Sequence, residues 1–172
     1  LGAPHVFTRF PIYRAFMQSM TFFGIIAISA TFVVTLGEID LSFPSIVGIT
    51  ALIFGIIMTS TDGNFFIAFI LATSLGMFAG LVNGLLVTKI GIPSIVATIG
   101  TLFFWRGLVN VISQGSGIAI VDVADGTWHH MIFVEKLFGK IPMQFIWFIV
   151  LTGLMQWVYR YHKFGNHIHF VG

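Results

Sequence analysis

Gly37-Glu38-Ile39-Asp40-Leu41-Ser42-Phe43-Pro44-Ser45 is a polar island in an apolar sequence. It holds two carboxylates between a Gly and a Pro. No charged residue occurs from Ala15 to Gly37, and none from Leu41 to Thr61. Ionised side chains inside hydrocarbon are expensive and usually functional. The island therefore decides how its surroundings are read. Either it lies at a membrane boundary between two spans, or it breaks a helix at membrane depth and is stabilised there by neighbouring protein.

The composition favours spans. Of 172 residues, 57% are hydrophobic and 8% charged, and the mean hydropathy is +1.00. A soluble domain carries about 25% charged residues, so this chain lacks a surface suited to water. The net charge of +2 is small and its basic residues are scattered, which gives no nucleic-acid footprint. The absence of cysteine excludes disulfides, thiol catalysis and Cys-based metal sites. Residues 1–20 contain two Pro and two Arg and do not read as a signal peptide. With no initiator Met, the chain reads as a piece of a longer one.

A spanning helix needs about 20 apolar residues. Working outward from the island, five segments qualify: 15–36, 41–60, 65–88, 92–112 and 143–161. The expected fold is an all-α, multi-pass transmembrane bundle in a single, partial transmembrane domain. Pro4 and Pro11 argue against one continuous helix in the lead-in. Thr61-Asp62-Gly63-Asn64 reads as a turn, and Pro93 opens the fourth span. Residues 113–142, with Asp122, Asp125, Gly126, Trp128 and two His, read as an extracytoplasmic loop, of which 131–137 is amphipathic and suited to the membrane surface. Placing Lys89, Arg160 and Lys163 in the cytoplasm puts the N-terminal segment outside and implies a further span upstream.

Within the spans, Gly76-x-x-x-Gly80-x-x-x-Gly84 puts three glycines on one helical face. Such a face lets another helix approach closely, either within the bundle or at a subunit interface. Asn83 lies beside it. Thr98, Thr101 and Asn110 recur along the fourth span; they either line a polar path or satisfy their hydroxyls on carbonyls one turn back. Arg106 either snorkels to the interface or pairs with a carboxylate. His129 and His130 read as surface histidines, since no third metal ligand has suitable spacing. Trp147, Trp157, Tyr159 and Tyr161 read as interfacial aromatics, and His162, His167 and His169 as interfacial too. No phosphate-cradling Gly loop with Lys-Ser/Thr occurs, and no Ser nucleophile elbow.

Three segments in order resemble the membrane subunit of bacterial ABC importers for simple sugars, the ribose-type permease family. They are Thr35-Leu36-Gly37-Glu38-Ile39-Asp40-Leu41-Ser42, then Gly84 to Thr101 with Arg106-Gly107, then Phe164 to Gly172. Glu38 stands where the family usually has Gly, and Phe43-Pro44 replaces a small, Gly-containing pair. The resemblance implies an inner-membrane transport subunit, not an enzyme, moving a ribose-like monosaccharide. It further implies a second permease subunit, a cytoplasmic subunit that binds and hydrolyses ATP, and a periplasmic sugar-binding protein. No cofactor is expected in this chain, and the ATPase-coupling loop would lie beyond Gly172. Nucleosides or branched-chain amino acids are alternative solutes. An ion-coupled secondary transporter using Glu38 and Asp40 in a broken helix is the alternative mechanism.

No catalytic or metal residue is expected. The substrate-path residues are Asp40, Ser42, Asn83, Thr98, Thr101 and Asn110; Gly76, Gly80 and Gly84 are the helix-packing residues. For Asp40-Leu41-Ser42 there is also a local role: Asp40 or Ser42 accepts from free N–H groups at the start of the second span, where negative charge is favoured.

Overall fold

Five long helices form where apolar sequence is long enough to sustain them. The computed structural model describes residues 9–163 and Gly165. Along the chain run α1 (Phe10–Thr35), α2 (Phe43–Ser60), α3 (Phe65–Thr88), α4 (Ser94–Ser113), α5 (Val121–Ala124) and α6 (Trp128–Phe133). A hairpin of β1 (Lys136–Leu137) and β2 (Ile141–Pro142) follows, and then α7 (Met143–Tyr161). Apart from that two-stranded hairpin, the described chain is all-α. Four helices, α1 to α4, are long and apolar enough to cross a membrane, which makes this a multi-pass membrane protein. The fifth expected span forms as α7, 19 residues long, but Gln144, Gln156, Arg160 and its aromatic-rich end make it less apolar than the others. Pro4, His167, His169 and all but Gly165 of the Phe164–Gly172 segment lie outside the described residues.

The lead-in is not one continuous helix: Arg9 is extended and α1 starts at Phe10. Pro11 does not interrupt a helix; it sits in the first turn of α1, where its missing N–H was an unpaired donor anyway. The amphipathic segment 131–137 divides between the end of α6 and β1. The α6 helix stops at Phe133, and the chain turns through left-handed Phe138 and Gly139 (φ 52° and 69°) to pair Lys136 with Pro142 and Leu137 with Ile141.

The chain divides into two compact units. In one, α1 packs on α7, with Gly24 set against the Phe148 ring and Phe32 edge-on to Tyr159 at 5.8 Å. At its loop end Trp147 Nε1 donates to Ile132 O at 2.9 Å, and its ring stacks on Phe133. Trp147 thus holds α6 against the start of α7.

The other unit, Glu38–Asp125, is built on α2. Both α3 and α4 pack broadly on it and only lightly on each other. One end of its core comprises Ile49, Ala79 and Trp105; the other comprises Met58, Ala68 and Ala124. The inward face of α3 is Ala68, Ala72, Ala79 and Asn83, small residues that allow close approach to α2. The turn between α2 and α3 runs through Asp62 (φ 49°) and Gly63 (φ 86°), and Asn64 caps α3 by accepting from Ile67 N at 3.2 Å. A Cβ on Gly63 would lie 2.7 Å from the Val123 carbonyl oxygen. That close approach seats α5 over the turn.

Candidate functional site

The polar island lies at the end of this unit where α2 begins and α3 finishes. Gly37, in the left-handed region (φ 77°), ends α1 through its N–H to Val34 O at 2.9 Å. Three residues on, Asp40 Oδ1 accepts from Ser42 N at 2.7 Å and from Ser42 Oγ at 2.6 Å. This two-residue Asx arrangement closes the entry to α2. Pro44 lies in the first turn, where it removes no helical bond.

The local role expected of Asp40 and Ser42 is divided between them. Asp40 does accept from the backbone just before the helix. Ser42 is the N-cap residue, yet its side chain makes no capping bond, because both neighbours claim it. Its hydroxyl proton goes to Asp40, and its oxygen accepts from Asn83 Nδ2 at 2.7 Å. Ser42 and Asn83 are both buried. With one hydroxyl proton already committed, Asn83 must present its NH₂ to Ser42, which fixes the amide orientation. Its Oδ1 is then left without a partner among the described residues. An unpaired buried acceptor of this kind costs about 1–3 kcal/mol.

The α4 helix grips the same island by its backbone. Ile39 N donates to Ser94 Oγ at 3.2 Å, and Ile39 O accepts from Thr98 Oγ1 at 3.4 Å. Thr98 makes a shorter bond to Ser94 O at 2.7 Å, and Thr101 Oγ1 donates to Thr98 O at 3.3 Å. The structure thus brings Asp40, Ser42, Asn83 and Thr98 into one hydrogen-bonded clasp that joins the starts of α2 and α4 to the end of α3. Thr101 is buried one turn further along α4, and Asn110 is exposed well beyond it.

The three glycines behave differently from one another. A Cβ on Gly76 would meet Thr50 Cγ2 of α2 at 3.3 Å, whereas Gly80 and Gly84 have nothing within 4 Å. Close packing on α2 is carried by the alanine face, with Gly76 beside it and Gly80 and Gly84 turned away. An open groove of about 580 Å³ lies between α2 and α3 beside Gly76, lined by Thr50, Thr73, Phe54, Phe69 and Met77 among others. The Thr50 hydroxyl is already bonded to Ile46 O at 2.9 Å, so the groove offers few polar groups to a solute.

One histidine assignment is corrected. His129 is buried, not superficial. Thr127 caps α6 by accepting from His130 N, and its Oγ1 lies 2.9 Å from His129 Nε2. Burial, and then the adjacent His130, lower the His129 pKa below its usual 6.5. Among the described residues no group of three or more His, Asp or Glu is placed to hold a metal. Sequence reasoning missed Ser94 and Trp105. The signal for Trp105 was its spacing: with Thr98 and Thr101 it falls at i, i+3 and i+7, one helical face.

Comparison with known proteins adds a family. The model of a family described as branched-chain amino acid transport system / permease component matches residues 12–172. The autoinducer 2 import system permease protein LsrD of Klebsiella pneumoniae is 29% identical over 150 residues, covering 87% of this chain and 45% of that protein. LsrC of Photorhabdus luminescens is 42% identical over 94 residues, 55% of this chain and 28% of its own length. The inner membrane ABC transporter permease protein YjfF of Escherichia coli is 28% identical over 190 residues, covering all of this chain and 54% of that protein. The chain spans about half the length of the curated relatives LsrD and YjfF. No solved structure matches.

Proposed function

Because this chain belongs to that family of transport-system permease components, we propose that it is the membrane-spanning part of an ATP-driven importer that carries a simple sugar across the bacterial inner membrane. The match along residues 12–172 carries the reading, and relatives named for ABC transport and for autoinducer 2 import support it. The chain itself performs no covalent chemistry. ATP is bound and hydrolysed by a separate cytoplasmic subunit, the permease works with a second permease subunit, and a periplasmic binding protein delivers the solute.

The clasp suits this task. An alternating-access permease needs helices that move as units about a point that stays together. Here Asn83 to Ser42 and Ser94 and Thr98 to Ile39 hold α3 and α4 to one end of α2. Asp40 and Ser42 act first in that attachment and only second as path residues, and Thr98, Thr101 and Asn110 follow α4 away from it. The test is uptake by vesicles holding the full-length protein with its ATPase and binding protein. Neutral monosaccharides should be taken up, in preference to nucleosides and to leucine, isoleucine and valine. Preferential uptake of an amino acid or a nucleoside contradicts the sugar assignment.

A further inference from the structure

The α1 and α7 helices lie side by side and run the same way, since Gly24 is set against Phe148 and Phe32 against Tyr159. Their seam is not closed. Two cavities, of about 130 and 380 Å³, share Ile28, Phe32 and Met155 and so form one open groove. It covers two turns of α1, from Ile25 to Phe32. Two turns of an incoming helix about 10 Å across would fill roughly 850 Å³, so the space favours something thinner. The groove is apolar except near the C-terminal ends of the two helices. There Thr31 and Thr152 commit their hydroxyls to Ala27 O and Phe148 O, at 2.8 and 2.7 Å. The Gln156 side chain lines the same stretch, is exposed, and makes no hydrogen bond among the described residues.

Positive charge gathers at that end of the groove. Arg160, in the last turn of α7, is four residues beyond Gln156 and on its face, about 6 Å further along the axis. Its guanidinium lies 5.7 Å from the centroid of the Tyr161 ring. Lys163 follows two residues past the helix end, and both basic side chains are exposed. Neither pairs with a carboxylate among the described residues. The local sequence supplies none: no Asp or Glu occurs from Leu1 to Gly37 or from Met143 to Gly172. The one acid of this unit, Glu135, precedes the start of α7 and so belongs to its opposite end.

We propose that the α1–α7 groove is a binding site for one anionic phospholipid. An acyl chain lies along Ile25, Ile28, Phe32 and Met155, the Gln156 amide donates to an ester carbonyl, and Arg160 with Lys163 holds the phosphodiester. The depths agree. The interfacial layer of a bilayer is about 5–8 Å thick on each face, so phosphate and ester carbonyl lie about one helical turn apart, as Arg160 and Gln156 do. A guanidinium offers paired N–H donors to two phosphate oxygens, and basic pockets between membrane helices suit anionic headgroups. Snorkelling alone would place Arg160 and Lys163 in water, but it gives no role to the groove or to the unbonded amide beneath them. A lipid seated here touches both helices and so fastens α7, the least apolar of the long helices, to α1.

The test is a lipid titration. Full-length protein, delipidated in mild detergent, is titrated with phosphatidylglycerol or with phosphatidylcholine of the same acyl chains, and bound lipid is counted by native mass spectrometry. A single phosphatidylglycerol should bind about tenfold more tightly than phosphatidylcholine, the gain from charge-assisted hydrogen bonds, and should raise the melting temperature. Equal affinity for the two lipids overturns the headgroup assignment. Arg160→Gln combined with Lys163→Gln should abolish that preference without changing the melting temperature of the lipid-free protein, because both side chains are exposed. Lys89→Gln, in the other unit, should leave the preference intact; an equal loss there means diffuse surface charge and overturns the site. Ser29→Trp fills the groove from an exposed position on its wall and should weaken binding of both lipids; undiminished binding overturns the groove. Glycerol 3-phosphate, which has the phosphate but no acyl chain, should not displace the lipid, and displacement overturns the lipid as occupant.

Discussion

Asn83 Nδ2 donates to Ser42 Oγ across 2.7 Å, joining two buried side chains 41 positions apart in the chain. This bond converts a local turn into a tertiary contact, because the same Ser42 hydroxyl is held by Asp40. Ser42→Ala leaves the Asn83 amide wholly unpaired and should destabilise the protein by about 1–3 kcal/mol. Adding Asn83→Leu should recover much of that loss, since removing both partners leaves no unsatisfied group. Chemical unfolding of the two variants in detergent compares them. Equal stability of single and double variants would contradict the pairing.

Asp40→Asn keeps an oxygen able to accept from Ser42 N and Oγ, so folding and uptake should be largely retained. Asp40→Ala removes both bonds and should cost about 0.5–2 kcal/mol, the range for losing a helix-entry acceptor. Uptake assays and melting curves on the pair separate this role from ion coupling. Loss of transport in Asp40→Asn with an unchanged melting temperature would identify an ion site instead.

Gly63 and Gly80 should respond oppositely to alanine. At Gly63 a Cβ meets both a left-handed backbone and the Val123 carbonyl at 2.7 Å. Gly63→Ala should therefore destabilise by more than about 1 kcal/mol. At Gly80 nothing lies within 4 Å, and Gly80→Ala should gain about 0.5–1 kcal/mol of helix stability. Parallel melting curves read both signs.

The buried His129 predicts a pH dependence. Its folded pKa lies below 6.5 through burial and the neighbouring His130, so the folded state favours the neutral ring. Its contribution to stability is complete above pH 6.5. As pH falls below that value the unfolded chain takes up the proton first, and stability declines until His129 also titrates in the folded state. Stability measured against pH should fall on this acid side, and His129→Gln should flatten that fall.

Much of the fold was legible because charge is so scarce here. Glu38 and Asp40 interrupt two apolar runs, so the start of α2 could be placed, and Asp62-Gly63-Asn64 marked the next turn. The partners of the island were harder to read. Ser94 and Thr98 hold Ile39 by its backbone N–H and C=O, and a backbone atom leaves no trace in side-chain pattern. Gly76-x-x-x-Gly80-x-x-x-Gly84 was conspicuous as a packing face, yet Ala68, Ala72 and Ala79 carry the contact, because alanine is also small enough and costs less helix stability. The histidine pair looked superficial since a two-turn helix capped by Thr127 has too few residues to show a period. Trp105 looked like any apolar residue; only its packing among Ile49 and Ala79 reveals that its N–H is unpaired.

We propose that this chain belongs to an ATP-driven importer of a sugar. The most direct measurement is uptake of a labelled monosaccharide by vesicles containing the full-length permease, its ATPase and its binding protein, with ATP supplied and ion gradients collapsed by ionophores. Uptake should require ATP and survive the ionophores. Uptake that continues without ATP and stops when the gradients collapse would contradict it.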